Sequence, residues 1–341
     1  MSATRISVIV PVRDGARHLE ASLPALAAAL PPSSELLVCD DGSSDASAAV
    51  AERHGARVLR RAPPAGPAVA RNHGAAEARG DVLVFLDADV RVHPDTLARL
   101  LAAFDDPAVA AAFGSYDDQP ASRNWVSLYK NLAHHFVHNR SRPEASTFWA
   151  GCGAIRHDVF DAQGGFDTAY RRPSIEDVEL GYRLRERGLP VRLVPEATVT
   201  HLKAWTLGGF LESDLRDRAI PWARLVRAGR GLPRDLNFTW ADRAASLCVG
   251  TAGALLLASL RAPALLAPAA GLLLLALLAD APFLIFARRR VSPAFAAAAA
   301  GLHLLHRAAG VLGLILGLLT PGPTHHARPA VGALKTSGGR T

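Results

Sequence analysis

The chain has 341 residues, and its 38 Lys and Arg against 31 Asp and Glu leave a formal net charge of +7. That balance suits a phosphate-bearing ligand or an anionic membrane surface. No zinc finger, helix-turn-helix pattern or interleaving of basic with aromatic residues is visible, which excludes nucleic acid from the expected partners. The three cysteines, Cys39, Cys152 and Cys248, show neither CxxC nor Cys/His metal spacing, and an odd count gives no disulfide framework. Cys39 and Cys248 sit in apolar stretches and read as small buried hydrophobes. The N-terminus offers only a short apolar stretch before charge and Gly, unlike a signal peptide, so this part is expected in the reducing cytosol.

In chain order, Arg5 to Val10 reads as a short apolar strand and Leu19 to Leu30 as an Ala/Leu helix closed by Pro31-Pro32. Glu35 to Cys39 is a second strand ending at Asp40-Asp41-Gly42-Ser43, and Asp45 is placed to cap the next helix. Arg57 to Arg60 is a third strand, Pro67 to Arg79 a helix and Val82 to Leu86 a fourth strand. Strands alternating with helices predict an α/β domain with a mostly parallel sheet flanked by helices. Ligands of such sheets bind beyond the carboxyl ends of the strands. Pro11, Asp40-Asp41 and Asp87-Ala88-Asp89 all fall there.

Asp87 and Asp89 follow a buried strand one residue apart, so in extended chain they share a face. Two carboxylates that close repel one another unless a cation lies between them. Mg²⁺ or Mn²⁺ takes oxygen ligands and bridges carboxylates to substrate phosphates. The pair therefore reads as a metal-and-phosphate centre.

The segments VIVPVRDG, VCDDGSSD and GPAVARNHGAAEARGDVLVFLDADV, followed by GGFD (Gly164 to Asp167) and IEDVELGYRL (Ile175 to Leu184), resemble the family 2 glycosyltransferases in order, spacing and type. The resemblance covers about the first 200 residues. It implies the GT-A fold and transfer of a sugar, with inversion, from a nucleotide diphosphate sugar, by family habit a UDP-sugar. Pro11 and Val12 would then lie against the base, with Asp41 accepting its N–H and Asp40 alongside. Arg71 would approach the nucleotide, Asp87 the ribose or metal, and Asp89 the metal and diphosphate. The acceptor hydroxyl must lose a proton as it attacks; the resemblance assigns this to Asp177, with Glu176 as the alternative. His201 would complete the metal site, where imidazole favours Mn²⁺ over Mg²⁺. Lys203 would neutralise the leaving diphosphate. Gly151 would let backbone approach the sugar, and Trp149 would stack on sugar or acceptor or serve as core. Two other readings are an inactive nucleotide-sugar-binding scaffold and a nucleotidyltransferase of similar topology.

After Arg243 the character changes. Ala244 to Leu260 carries no charge, Ala262 to Ala287 only Asp280, and Ser292 to Thr320 only Arg307. Runs of this length predict an all-α membrane anchor of about three spans, or two spans plus a re-entrant or interfacial piece. Arg288, Arg289 and Arg290 place the loop between the second and third runs in the cytoplasm. The N-terminal domain of this multi-pass cell-membrane protein is then cytoplasmic too. Leu207 to Ala228 interleaves apolar and basic residues around Trp222, with Pro221 interrupting the helical spacing. It reads as a membrane-surface element or as a cover helix over the sheet. The boundaries expected are a catalytic domain at 1–206, an interfacial segment at 207–240, a transmembrane region at 241–320 and a disordered tail at 321–341. The acceptor is expected to be a lipid or glycan delivered at the membrane. Asp280 and Arg307 would pair with each other, or Arg307 would meet a lipid phosphate.

Overall fold

The computed structural model describes residues 5–32, 34–231, 236 and 239–320; the tail expected at 321–341 lies outside them. The sheet is built from β1 (Ile6–Val12), β2 (Glu35–Asp40), β3 (Arg57–Arg60), β4 (Val82–Leu86), β5 (Val90–Val92), β6 (Ala111–Tyr116), β7 (Glu144–Ala145), β8 (Cys152–Arg156) and β9 (Val191–His201). Its order is β3-β2-β1-β4-β8-β6-β9-β5, with β7 on β9. The expected parallel half, β3 to β4, is present. The other half is mixed, because β8 runs antiparallel to β4 and β6, and β5 and β7 antiparallel to β9.

Parallel strands are covered on both faces and so carry continuous apolar runs. All five residues of β4, VLVFL, are buried. The helices α1 (Ala16–Ala29), α2 (Ser47–Arg53), α3 (Pro67–Glu77), α4 (Thr96–Ala102), α5 (Trp125–His138), α6 (His157–Ala162) and α7 (Glu176–Glu186) complete the domain. α3 lies close on the sheet because it carries Gly74: a Cβ there would sit 2.6 Å from both Cys39 Sγ and Ile9 Cγ2. α1 starts three residues before the expected Leu19. Asp45 explains this, accepting from the N–H of Ala16 at 3.0 Å and of Ser47 at 2.9 Å, so one carboxylate serves two helix starts. Cys39 and Cys152 are buried, whereas Cys248 is only half-buried, and all three are free.

Residues 207–230 form one helical run, made of α8 (Leu207–Glu212), a π-helical turn (Ser213–Ala219), α9 (Ile220–Leu225) and a further turn to Arg230. Pro221 does not stop it. Pro221 offers no N–H to the carbonyl of Asp217 four residues back, and the Ser174 hydroxyl donates to that carbonyl at 2.7 Å instead.

The C-terminal helices are α10 (Trp240–Ala258), α11 (Leu266–Ala279), α12 (Ala281–Arg290) and α13 (Pro293–Leu319). Among the described residues, α10 and α13 are long and apolar enough to cross a membrane. The second apolar run is not one straight helix. It breaks at Asp280, and α12 bends 63° away from the helical stretch Pro263–Ala279. Asp280 ends α11 and precedes Pro282 in the first turn of α12, a stop and start within one apolar run. Arg307 on α13 donates to Asp280 from Nε at 3.0 Å, and both side chains are buried. Of the two expectations for Arg307, the pair is the one formed.

α13 packs along the 207–230 run through small residues. A Cβ on Gly313 would meet Ala219 Cβ at 2.3 Å, and one on Gly317 would meet Ala223 Cβ at 2.6 Å. The spacing of four positions within each pair sets backbone against backbone, the close approach that small residues permit between helices.

Candidate active site

The ends of β1, β2 and β4 open onto one cleft, and the sheet register decides what meets there. Leu86 pairs with Cys152, so Asp87 lies opposite Gly151 and its N–H donates to the Gly151 carbonyl at 3.2 Å. Val90 pairs with His201, and the Leu202 N–H donates to the Asp89 carbonyl at 2.8 Å. This pairing carries His201 to Asp89: Nε2 and Oδ2 are 3.7 Å apart. The imidazole is stacked under the Tyr116 ring, centroids 4.5 Å apart at 18°.

Arg71 of α3 links the two acidic motifs. It is 5% exposed. Its Nη2 donates to Asp87 Oδ1 at 2.6 Å and its Nη1 to Glu176 Oε1 at 2.8 Å. Burial works against its charge, but Asp87, Glu176 and Asp177 outweigh that and hold its pKa above the ordinary arginine value. Glu176 is buried, and its second oxygen accepts from the Ser174 N–H at 2.9 Å.

Asp177 stands differently. It is the second residue of α7, is half-buried, and accepts from the Ala150 N–H at 3.0 Å and the Val178 N–H at 2.8 Å. Burial, then the charge of Glu176, push its pKa up to about 6. Between the two candidate bases, Glu176 is sealed and tied to Arg71, while Asp177 keeps access and a pKa suited to accepting a proton near neutrality.

Burial and the neighbouring charge of Asp89 raise the pKa of Asp87 despite Arg71. For Asp89, burial is outweighed by His201 and Lys203, which hold its carboxyl below the usual range. Lys203 lies with Nζ 4.0 Å from the Trp205 ring centroid, a cation–π contact. Among the described residues, no group of three or more His, Cys, Asp and Glu side chains gathers as a metal cage. The trio Asp87, Asp89 and His201 is therefore not assembled as expected, because Arg71 takes one oxygen of Asp87. Asp89 and His201 remain side by side as oxygen and nitrogen donors, beside a second carboxylate whose repulsion a cation would relieve. That donor set fits a divalent ion whose remaining ligands come from a bound diphosphate.

The remaining expected site residues are placed as follows. Val12 is 5% exposed and points into the core beneath α1, because it shares the strand face of Val8 and Val10; Pro11, on the other face, is half-buried. Asp41 is buried and accepts from the N–H groups of Ala65 at 2.9 Å and Gly66 at 2.7 Å, while Asp40 accepts from the Ser43 N–H at 2.8 Å. The pair thus shapes the cleft loops. Gly66 has φ +101°, and a Cβ there would strike the Arg171 carbonyl at 2.4 Å. At Gly151 an added Cβ would lie 2.6 Å from the Trp149 indole. Trp149 is half-buried, edge-on to Tyr116 with centroids 4.9 Å apart.

Tyr116 and His134, which motif reading missed, line a cavity of 1740 Å³ that begins at His201 and Trp205. It passes Lys130 and Arg218 and ends between α10 and α13, against Leu247, Val311 and Leu314. Lys130 donates to Asp214 at 2.6 Å, and burial, then Arg218, lower its pKa to about 8. The residues walling this space come from widely separated parts of the chain, and no local pattern announces them.

Residues 7–164 match the family model described as Glycosyl transferase family 2. The chain is 32% identical over 209 residues to a pre-mycofactocin glycosyltransferase of Mycobacterium tuberculosis, covering 58% of this chain and 42% of that protein. It is 28% identical over 228 residues to a validoxylamine A glucosyltransferase of Streptomyces hygroscopicus, covering 56% and 50%. The chain thus spans half or less of the length of these relatives. Its fold is similar to that of a mannosyltransferase from Pyrobaculum calidifontis solved with GDP-Man and Mn²⁺: TM-score 0.57, 20% identity, 93% of this chain and 87% of that one. It is also similar to glucosyl-3-phosphoglycerate synthase of Mycobacterium tuberculosis solved with Mn²⁺, UDP and glucosyl-3-phosphoglycerate: TM-score 0.50, 21% identity, 67% and 81%.

Proposed function

Residues 7–164 belong to glycosyl transferase family 2, and from that membership we propose that the chain transfers a sugar, with inversion, from a nucleotide diphosphate sugar to a membrane-delivered acceptor. The observation that carries the reading is the contrast between Glu176 and Asp177. One is sealed against Arg71; the other is fixed by two backbone N–H groups at a helix start, half-open and with its pKa pushed up to about 6. Asp177 takes the acceptor proton as the acceptor oxygen attacks the anomeric carbon. The bond from that carbon to the diphosphate breaks on the opposite face, and the nucleoside diphosphate leaves. Glu176 and Arg71 hold Asp177 and Asp87 in register.

A UDP-sugar is the donor we favour, with Pro11 and Asp41 on the base side. A divalent ion held by Asp89 and His201, Mn²⁺ in preference to Mg²⁺, would supply charge for the leaving diphosphate; relatives of this fold are solved with Mn²⁺. Lys203 is close enough to Asp89 to lower its pKa, and it adds a positive charge on the same side.

The cavity running from His201 to α10 and α13 supports a lipid-linked acceptor, since one wall is polar and the other is membrane-helix surface. Exposed leucines on the apolar helices, including Leu257 of α10 at 73% and Leu274 of α11 at 58%, support burial in a bilayer, and Arg288, Arg289 and Arg290 support a cytoplasmic side for the catalytic domain. The experiment is a screen of nucleotide sugars for nucleotide release and transfer, with and without Mn²⁺, on wild type, Asp177→Asn and Asp89→Ala. Loss of about 10²- to 10⁴-fold in transfer by Asp177→Asn is expected of a general base. Transfer by Asp177→Asn at the wild-type rate removes the assignment, and production of a nucleotide sugar from a sugar phosphate replaces the reaction class.

A further inference from the structure

A second, smaller concavity of 510 Å³ lies between α5 and α12, on the far side of Phe136 and Arg140 from the large cavity, and both cavities use these two residues as wall. Its floor is apolar, made by Phe136, Ile285 and Phe286, with Ile285 50% exposed. Its rim is cationic, made by Arg140, Arg289 and Arg290. Arg290 is held by Asp118, from Nη2 at 2.8 Å. Arg140 lies with its guanidinium 5.0 Å from the Phe136 ring centroid. Neither Arg140 nor Arg289 has a carboxylate partner among the described residues. Because α12 bends 63° from the preceding helix and packs on α5, this groove sits where the apolar helices meet the catalytic domain.

Resting on the membrane reading above, we propose that this groove is a binding site for an anionic glycerophospholipid, distinct from the acceptor cavity. The acyl chain lies on Phe136, Ile285 and Phe286, and the phosphate meets Arg140 and Arg289. Charge complementarity selects the occupant: a zwitterionic lipid presents no net charge to two unpaired guanidiniums, and a free phosphate leaves the apolar floor bare. Attraction of about 1 kcal/mol for each arginine near an anionic surface corresponds to about fivefold in binding. Since Arg140 also walls the acceptor cavity, the bound lipid fixes the side chain that separates the two spaces.

The test uses full-length protein in nanodiscs of phosphatidylcholine with and without phosphatidylglycerol, with retained lipid counted by native mass spectrometry. Wild type is expected to retain phosphatidylglycerol over phosphatidylcholine, and Arg140→Gln and Arg289→Gln each to lower that preference about fivefold. Arg57→Gln, remote and paired with Glu77, leaves it unchanged. Ile285→Asp is expected to lower retention of both lipids. Circular dichroism of each variant confirms that it is folded. Equal retention of the two lipids by wild type, or a preference untouched by the arginine substitutions, overturns the site while leaving the membrane reading intact. Protein that stays monodisperse in water without detergent overturns both.

Discussion

Arg71→Met removes the cation that Asp87 and Glu176 share. Glu176 is 4% exposed and would keep only the Ser174 N–H, so its carboxylate would be buried without a counter-charge. Breaking a buried pair from one side costs about 3–5 kcal/mol. The Asp87 side chain is 33% exposed and recovers water, so its share is about 1 kcal/mol, near the figure for an exposed pair. A total of about 4–6 kcal/mol compares with a net stability of about 5–15 kcal/mol for a domain. Urea unfolding in detergent, followed by circular dichroism, measures the difference between Arg71→Met and wild type. A loss under about 1 kcal/mol refutes the reasoning, since a buried unpaired carboxylate does not permit it.

The pH–rate profile for transfer should rise with unit slope through about 6, the value to which burial and Glu176 push Asp177, and level off above it, because the base must be ionised to accept a proton; Asp177→Asn should flatten that limb. Chelation should abolish transfer, and Mn²⁺ should restore it. His201→Asn is expected to raise the Mn²⁺ concentration for half-maximal rate, by about the 10- to 100-fold seen when a site's supporting groups are lost. Gly313→Leu places atoms where Ala219 Cβ would be 2.3 Å from the first of them. It should depress transfer to a membrane acceptor while nucleotide-sugar hydrolysis falls less, which assays run side by side on one preparation will show.

The strands β1, β2 and β4 were legible because each is an apolar run closed by a turn, and Asp87-Asp89 stands out because acids follow VLVFL directly. Strand parity also carried the correct placement of Val12: with Val8 and Val10 it shares the core face, against the resemblance that set it on the base. What the chain order could not disclose is pairing at a distance. Arg71 and Glu176 are 105 positions apart, and only the folded sheet and α7 bring them together. His201 reaches Asp89 through the antiparallel register of β5 with β9, which no motif spells out. The break at Asp280 was visible as Ala279-Asp280-Ala281-Pro282, a helix stop followed by a helix start, yet run length alone reads it as continuous. The cavity wall drew on Tyr116, His134 and Arg218 from unrelated elements, which no periodicity links.

Around Gly313, Gly317, Ala219 and Ala223 the contact between α13 and the 207–230 run is made of backbone and methyl groups, and bonds between His306 and Asp214, Arg224 and Thr320, and Arg227 and the Leu318 carbonyl tie the same two elements. The glycine–alanine part of this joint has no rotamers with which to absorb strain. A tilt of α13 is therefore transmitted as a lever, and the lever's other arm is Trp222, donating to the Tyr182 hydroxyl on α7 at 3.0 Å, with the Asp217 carbonyl held by Ser174. Hydrophobic helices tilt to match the thickness of the bilayer around them. On the proposal made above, with α13 in a bilayer and Asp177 as the base, the orientation of Asp177 near the start of α7 would be tied to a property of the lipid sheet as a whole, and membrane thickness would be read as catalytic rate.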